Sequence, residues 1–193
     1  MLKVSDLTFS FGEKNVIDHL SFELNAGEIL AVMGPSGCGK TTLLGIVAGL
    51  LKPQSGEIEN TFAKLSYAFQ EPRLFPWLTV KENVLAVMDE KDPEAEETAM
   101  ESLALVALSS SADKYPEALS GGMKSRASLA RALAYGGDIF LLDEPFAALD
   151  EDLRRSLGET LKEYLRANNA SAILVTHNKE DAERIADRIL TLS

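Results

Sequence analysis

Three hydropathy patterns divide this chain. The first is the short, uninterrupted apolar run. Ile29-Leu30-Ala31-Val32-Met33 has it, as do the four apolar residues inside Asp138-Ile139-Phe140-Leu141-Leu142-Asp143 and the stretch Ser171 to Thr176. Such runs predict strands buried on both faces, as in a mostly parallel sheet covered by helices. Lys64 to Phe69 reads as another strand. The second pattern is alternation. Phe9 and Phe11 stand two apart, as do Phe22 and Leu24, so residues 2 to 24 read as short strands around a turn at Gly12-Glu13-Lys14, an N-terminal antiparallel part. The third is helical spacing, over Thr41–Leu50, 79–90, 94–108, in a long stretch that follows Leu119-Ser120-Gly121-Gly122-Met123 and runs through Ala134, and from Asp150 to about Arg166. Lys52-Pro53-Gln54-Ser55-Gly56 reads as a turn cluster, and Asp89 to Glu97 as a solvated acidic connector. Strands interleaved with helices place the chain in the α/β class. The order predicts one domain over 1–193. Residues 1–70 and 136–193 form its α/β core, and 71–135 an inserted α-helical subdomain.

The predicted strand Ile29–Met33 runs into Gly34-Pro35-Ser36-Gly37-Cys38-Gly39-Lys40-Thr41-Thr42, which fits G-x-x-x-x-G-K-[ST] and then becomes helical. Successive backbone N–H groups can wrap a triphosphate only where side chains are small or absent. Lys40 then reaches the β and γ phosphates, and the Thr41 hydroxyl is placed for Mg²⁺. The helix N-terminus adds unpaired N–H groups and the positive end of its dipole. The reading is a phosphate-loop nucleotide-binding core that takes ATP with Mg²⁺.

Other candidates gather around it. Asp143 and Glu144 end a buried strand, where open parallel sheets bind ligands. There Asp143 can hold Mg²⁺ through water and Glu144 can polarise an attacking water, although two acids in a surface turn would look alike. His177 ends the next buried strand, a place for a γ-phosphate contact or for a structural histidine; His19 has no such context and stays unassigned. Ser120 with Gly121 and Gly122 is a second phosphate-friendly helix start. Asp150 reads as a helix N-cap. Phe11, at the strand end, is either core or a platform for a nucleobase. Glu71-Pro72-Arg73-Leu74-Phe75-Pro76-Trp77-Leu78 is irregular because of its prolines yet rich in large apolar residues, so it either folds back on the core or meets a partner.

Composition narrows the class. At 193 residues, 46% apolar, the chain can bury a real core. A net charge of −11 argues against coating nucleic acid or binding anionic lipid. The single cysteine, Cys38, can form no internal disulfide. The beginning, MLKVSDLTFS, lacks a leader-like apolar stretch, and no run of 18 apolar residues occurs, so the expectation is a soluble, cytoplasmic chain.

Taken in order, Phe11, GPSGCGKT, Gln70, LSGGM, DIFLLDE followed by FAALD, and His177 resemble the ATP-binding subunit of an ABC transporter, across nearly the whole chain. The resemblance implies ATP held between two copies, head to tail, in an ATP-dependent homodimer. The phosphate loop of one copy would meet Ser120, Gly121 and Gly122 of the other. It implies Glu144 as general base, His177 bridging to the γ-phosphate, Gln70 sensing Mg²⁺ and the water, Asp150 acting across the dimer, and Phe11 stacked on adenine. Met123 in the signature and the EPRLFPWLTVKENV loop resemble the nitrate, sulfonate, taurine and thiamine-precursor importer ATPases. That branch implies a membrane-spanning permease docked on residues 71–80 through Leu74, Phe75 and Trp77, a solute-binding protein outside, and a position on the inner face of the cell membrane. The chain stops near Leu192, shorter than many relatives, which suggests that no regulatory C-terminal domain follows. A soluble ATPase of the same class acting on nucleic acid or ribosomes is a second reading, disfavoured by the acidic charge. A small-molecule kinase is a third, and it leaves LSGGM and the Asp143-Glu144 pair unexplained.

Overall fold

The computed structural model describes residues 1–192. Two sheets stand side by side. Strands β1 (Leu2–Phe11), β2 (Lys14–Leu24) and β4 (Ser55–Asn60) form an antiparallel sheet in the order β2-β1-β4. Strands β3 (Ile29–Met33), β5 (Leu65–Ala68), β6 (Ile139–Asp143), β7 (Ser171–Val175) and β8 (Arg188–Thr191) form a parallel sheet in the order β5-β6-β7-β3-β8. Helix α1 (Lys40–Val47) follows β3. Helices α2 (Val80–Leu85), α3 (Ala95–Leu105) and α4 (Gly121–Tyr135) lie between β5 and β6, and α5 (Glu151–Ala167) and α6 (Lys179–Ile185) follow β6 and β7.

The uninterrupted apolar runs are the central strands. In β6 and β7 all residues are buried, because alternate side chains serve two cores. Phe140 and Leu142 of β6, with Ala172 and Leu174 of β7, pack toward α2–α5. Ile139 and Leu141, with Ile173 and Val175, pack toward the antiparallel sheet and α1.

The N-terminal strands are longer than the alternation suggests, and the reason is a paired irregularity. Asp6 and His19 have positive φ, 52° and 47°, and register slips between Val4 and Leu7. The slip moves the buried positions from Leu2 and Val4 to Leu7 and Phe9, and a matching one moves them from Ile17 to Phe22 and Leu24. One face therefore stays apolar through both kinks. Asp6 Oδ1 lies 2.7 Å from His19 Nδ1, and the Thr8 and Ser21 hydroxyls accept from the His19 and Asp6 N–H groups.

Two strands escape the pattern. β4 includes Ser55 and Gly56 of the predicted turn cluster. It is an edge strand of mostly exposed polar residues, held by ladder bonds to β1 rather than by a buried face. β8, only four residues long, is an edge of the parallel sheet, with Ile189 exposed and Leu190 packed against the core. The helix predicted over 79–90 ends at Leu85, and α1 begins at Lys40 rather than Thr41.

Candidate active site

Four parallel strands deliver their following segments to one rim. β3 leads into the glycine loop, β5 to Gln70, β6 to Asp143 and Glu144, and β7 to His177. Gly34 is extreme in φ, +153°, and a Cβ there would sit 2.6 Å from both Cys38 Sγ and the Leu192 carbonyl. Gly39 (φ +99°) caps α1, and a Cβ would meet Val16 at 2.8 Å. Only glycine fits either place. Because that cap offers no side-chain acceptor, the first N–H groups of α1 remain available to a phosphate.

A cavity of about 420 Å³ opens over this helix start, lined by Ser36, Gly37, Gly39, Lys40, Thr41 and Thr42 together with Phe11, Gln70, Asp143 and Glu144. Lys40 is 9% exposed, and its Nζ donates to the Gly34 and Pro35 carbonyls at 2.8 and 2.9 Å, which keeps the charge at the cavity wall. Phe11 is 56% exposed, and its ring stands nearly perpendicular to that of Phe9, centroids 4.9 Å apart. Gly34, Pro35 and Cys38 do not line this space. Cys38 opens instead onto a cavity of about 360 Å³ behind the loop, beside Leu192.

The acidic pair splits into two environments. Asp143 is 2% exposed, and neither carboxylate oxygen has a hydrogen-bond partner. Burial pushes its carboxyl above the usual range, while the nearby Thr41 hydroxyl pulls it back and the Glu144 charge adds to the rise. An orphaned buried carboxylate beside a threonine hydroxyl is a donor set that fits Mg²⁺, which takes few protein ligands and completes its shell with phosphate and water. Glu144 sits in the left-handed region, φ 50°, a conformation that costs about 1–3 kcal/mol and marks functional positions. Its N–H donates to the Val175 carbonyl at 3.0 Å, tying β6 to β7 at the rim. His177 Nδ1 lies 2.7 Å from Glu144 Oε2. Since a carboxylate only accepts, the proton is on Nδ1 and Nε2 is left free. The imidazole is 67% exposed and the glutamate side chain 11%, and the ring does not line the cavity.

Ser120, Gly121 and Gly122 stand elsewhere. Ser120 caps α4 by accepting from Met123 N–H at 3.3 Å, and Ser120 and Gly121 are exposed. A Cβ on Gly122 would lie 2.6 Å from the Ala148 carbonyl. None of the three lines the cavity of its own chain. Asp150 caps α5, accepting from Leu153 N–H at 3.0 Å.

The irregular loop after Gln70 is held from both sides by residues that no motif singles out. Asn83, fully buried in α2, accepts from Phe75 N–H at 2.7 Å and donates to the carbonyls of Phe75, Leu78 and Thr79. Arg131 of α4 donates to the Pro72 and Arg73 carbonyls. A loop with two prolines and many unpaired carbonyls needs such donors, and an asparagine seven residues past the second proline was the available sign. Leu74 packs against the helical core, whereas Phe75 and Trp77 are 39% and 69% exposed. Beside Phe75 runs an open apolar groove of about 500 Å³ between β5 and α4, lined also by Tyr67, Phe69, Arg73 and Tyr135.

This fold, with its glycine loop and acidic strand end on one rim, defines a phosphate-loop nucleotide-binding domain. The sequence pattern of the ABC transporter family matches residues 17–147, most of the chain. The chain belongs to that family. An Fe(3+) ions import ATP-binding protein of Haemophilus influenzae is 40% identical over 98% of the chain, and an aliphatic sulfonates import ATP-binding protein of Bacillus subtilis is 39% identical over 94%. The chain spans 58% of the length of the first and 74% of the second. Among solved structures, the dimeric bacterial ABC transporter cassette MJ0796 is 30% identical, with a TM-score of 0.91 over the whole chain and 94% of that protein. The same cassette in a post-hydrolysis state with ADP and Pi gives 0.90.

Proposed function

We propose that this chain is the ATP-hydrolysing subunit of an importer. Two copies close head to tail on two Mg-ATP molecules, and hydrolysis reopens them. One observation carries the reading: the chain presents a finished phosphate cradle and, away from it, an exposed helix start at Ser120–Gly122 that its own cradle does not use. A second copy turned head to tail lays that start over the triphosphate, as the dimeric form of the similar cassette supports. The three sides of the site then differ in chemistry. Lys40, the α1 N–H groups and Ser36 to Thr42 hold phosphate, Phe11 offers its exposed ring to the base, and the partner's Ser120–Gly122 supplies further donors. Thr41 and Asp143, with Gln70 near them, would hold Mg²⁺, which neutralises charge on the β and γ phosphates. Glu144 takes the proton of the attacking water, and His177, oriented by Glu144, turns Nε2 toward the γ-phosphate.

The rest of the machine is inferred from the surface. Residues 71–135 act as the helical subdomain that carries the signature, and 1–70 with 136–193 as the nucleotide core. No helix among the described residues is long and apolar enough to cross a membrane. The chain works on the inner face of the membrane through a permease. The groove beside Phe75, with Trp77 at its rim, receives a helix of that permease, and a solute-binding protein delivers cargo from outside. Relatives of equal identity serve sulfonate and iron import, so solute choice lies with the membrane subunit.

The test is Glu144→Gln. The variant should bind ATP with unchanged affinity, elute as a long-lived dimer in ATP and lose turnover by at least about a hundredfold, as expected when a positioned base is removed. Turnover near the parent rate would remove Glu144 from the base role, and a monomer in every nucleotide state would sink the shared site.

A further inference from the structure

Beneath His177 lies a second group of charges that the reaction above does not use. Asp181, in the first turn of α6, is 2% exposed. Its Oδ1 lies 3.7 Å from Arg184 Nη1. With Arg154 of α5, Asp181 also borders a cavity of about 10 Å³, walled by Glu144, Thr176 and His177 and large enough for one water. Arg154 Nη2 donates to the Leu149 carbonyl at 2.9 Å, while its Nε is buried without an acceptor. Burial raises the Asp181 carboxyl, and the Arg154 and Arg184 guanidiniums pull it down. Buried charges persist only when they face opposite ones, and here Asp181, with Arg184 as its nearer counter-charge, faces Arg154 across that cavity.

Their places in the chain give this pair its meaning. Arg154 grips the end of the segment that runs from Glu144 to Asp150. Asp181 belongs to the turn that begins at His177, where Asn178 N–H donates to Thr176 Oγ1 at 3.0 Å and Asn178 Oδ1 accepts from Asp181 N–H at 3.2 Å. The imidazole is mostly exposed, so packing does not hold it. What remains is one bond to Glu144 and the backbone on which it stands. We propose that Asp181, facing Arg154, is a positioning residue for the Glu144–His177 pair, fastening the segment after β6 to the segment after β7. The inference rests on the catalytic reading of that pair.

The test measures steady-state ATP hydrolysis by the full chain, with nucleotide affinity from a fluorescent ATP analogue. Asp181→Asn should lower kcat about tenfold while KM and the analogue Kd stay within about twofold, the split expected of a group felt only in the reacting complex. Asp181→Glu should restore most of the loss. In a His177→Ala background Asp181→Asn should cost nothing further, because both act through one imidazole. Arg154→Gln repeats the comparison and decides it if Asp181→Asn does not fold. Loss of melting temperature with kcat unchanged, or losses that multiply with those of His177→Ala, would overturn the proposal. If His177→Ala alone leaves kcat unchanged, the pair has no catalytic role and the proposal falls with that reading instead.

Discussion

Replacing Asn83 with alanine tests how the loop before α2 is held. The side chain is fully buried and makes four hydrogen bonds to the backbone between Phe75 and Thr79. Two of its acceptors have alternatives, since the Phe75 carbonyl also accepts from Leu78 N–H and the Thr79 carbonyl from Asn83 N–H. Alanine therefore strips the Phe75 N–H and the Leu78 carbonyl. A buried polar group left unpaired costs about 1–3 kcal/mol, so two give a loss of about 3 kcal/mol if water reaches them in part. For a domain of this size each kcal/mol moves the melting temperature by about 2–4 °C, which predicts a fall of about 6–12 °C, read by thermal and urea denaturation. A loss below about 1 kcal/mol would place Asn83 among ordinary substitutions. The idea that it organises the loop would then be wrong.

Two further outcomes follow. Trp77→Ala should leave nucleotide affinity and melting temperature unchanged while weakening co-purification with the permease, because the ring is 69% exposed and tilted on Phe75 rather than packed in the core; equal loss of ATP binding and assembly would contradict this. The Asp6 carboxylate beside His19 raises the imidazole pKa above 6.5, so the folded state holds that proton more tightly than the unfolded chain. Its stabilisation is complete below that unfolded value and disappears as pH rises through the raised folded one. His19→Gln should lower the melting temperature slightly at pH 5.5 and not at pH 8.5, with the difference suppressed by salt because the pair is exposed. A pH-independent difference would assign the effect to the bulge geometry.

What could be read from the sequence followed the strength of the physical signal. Strands buried on both faces announce themselves as apolar runs, and β3, β6 and β7 lie where the runs are. The glycine loop is legible because two of its glycines are forced, by contact with Cys38, Leu192 and Val16. β4 and β8 are not legible: β4 is an edge strand of mostly exposed polar residues, specified by its neighbour's ladder, with nothing in SGEIEN itself that alternates, and β8 is too short to show a period. Leu74 and Trp77 share one apolar stretch in sequence and end in opposite places, one against the core and one in solvent, since the turn between them is set by Asn83 from another element. Asp181 and Arg154 come to line one cavity only after α5 and α6 have packed, and no local spacing relates positions that far apart.

The backbone at Glu144 has a consequence for how this chain can change. A glycine at that position would adopt the left-handed conformation freely, so folding by itself gains from losing the side chain proposed as the base. If Glu144 is the base, its position is thus one where the pressures of inheritance conflict. In a lineage released from the demand for turnover, position 144 should be among the first to decay, and the dead descendants should outlast the working ancestor on heating.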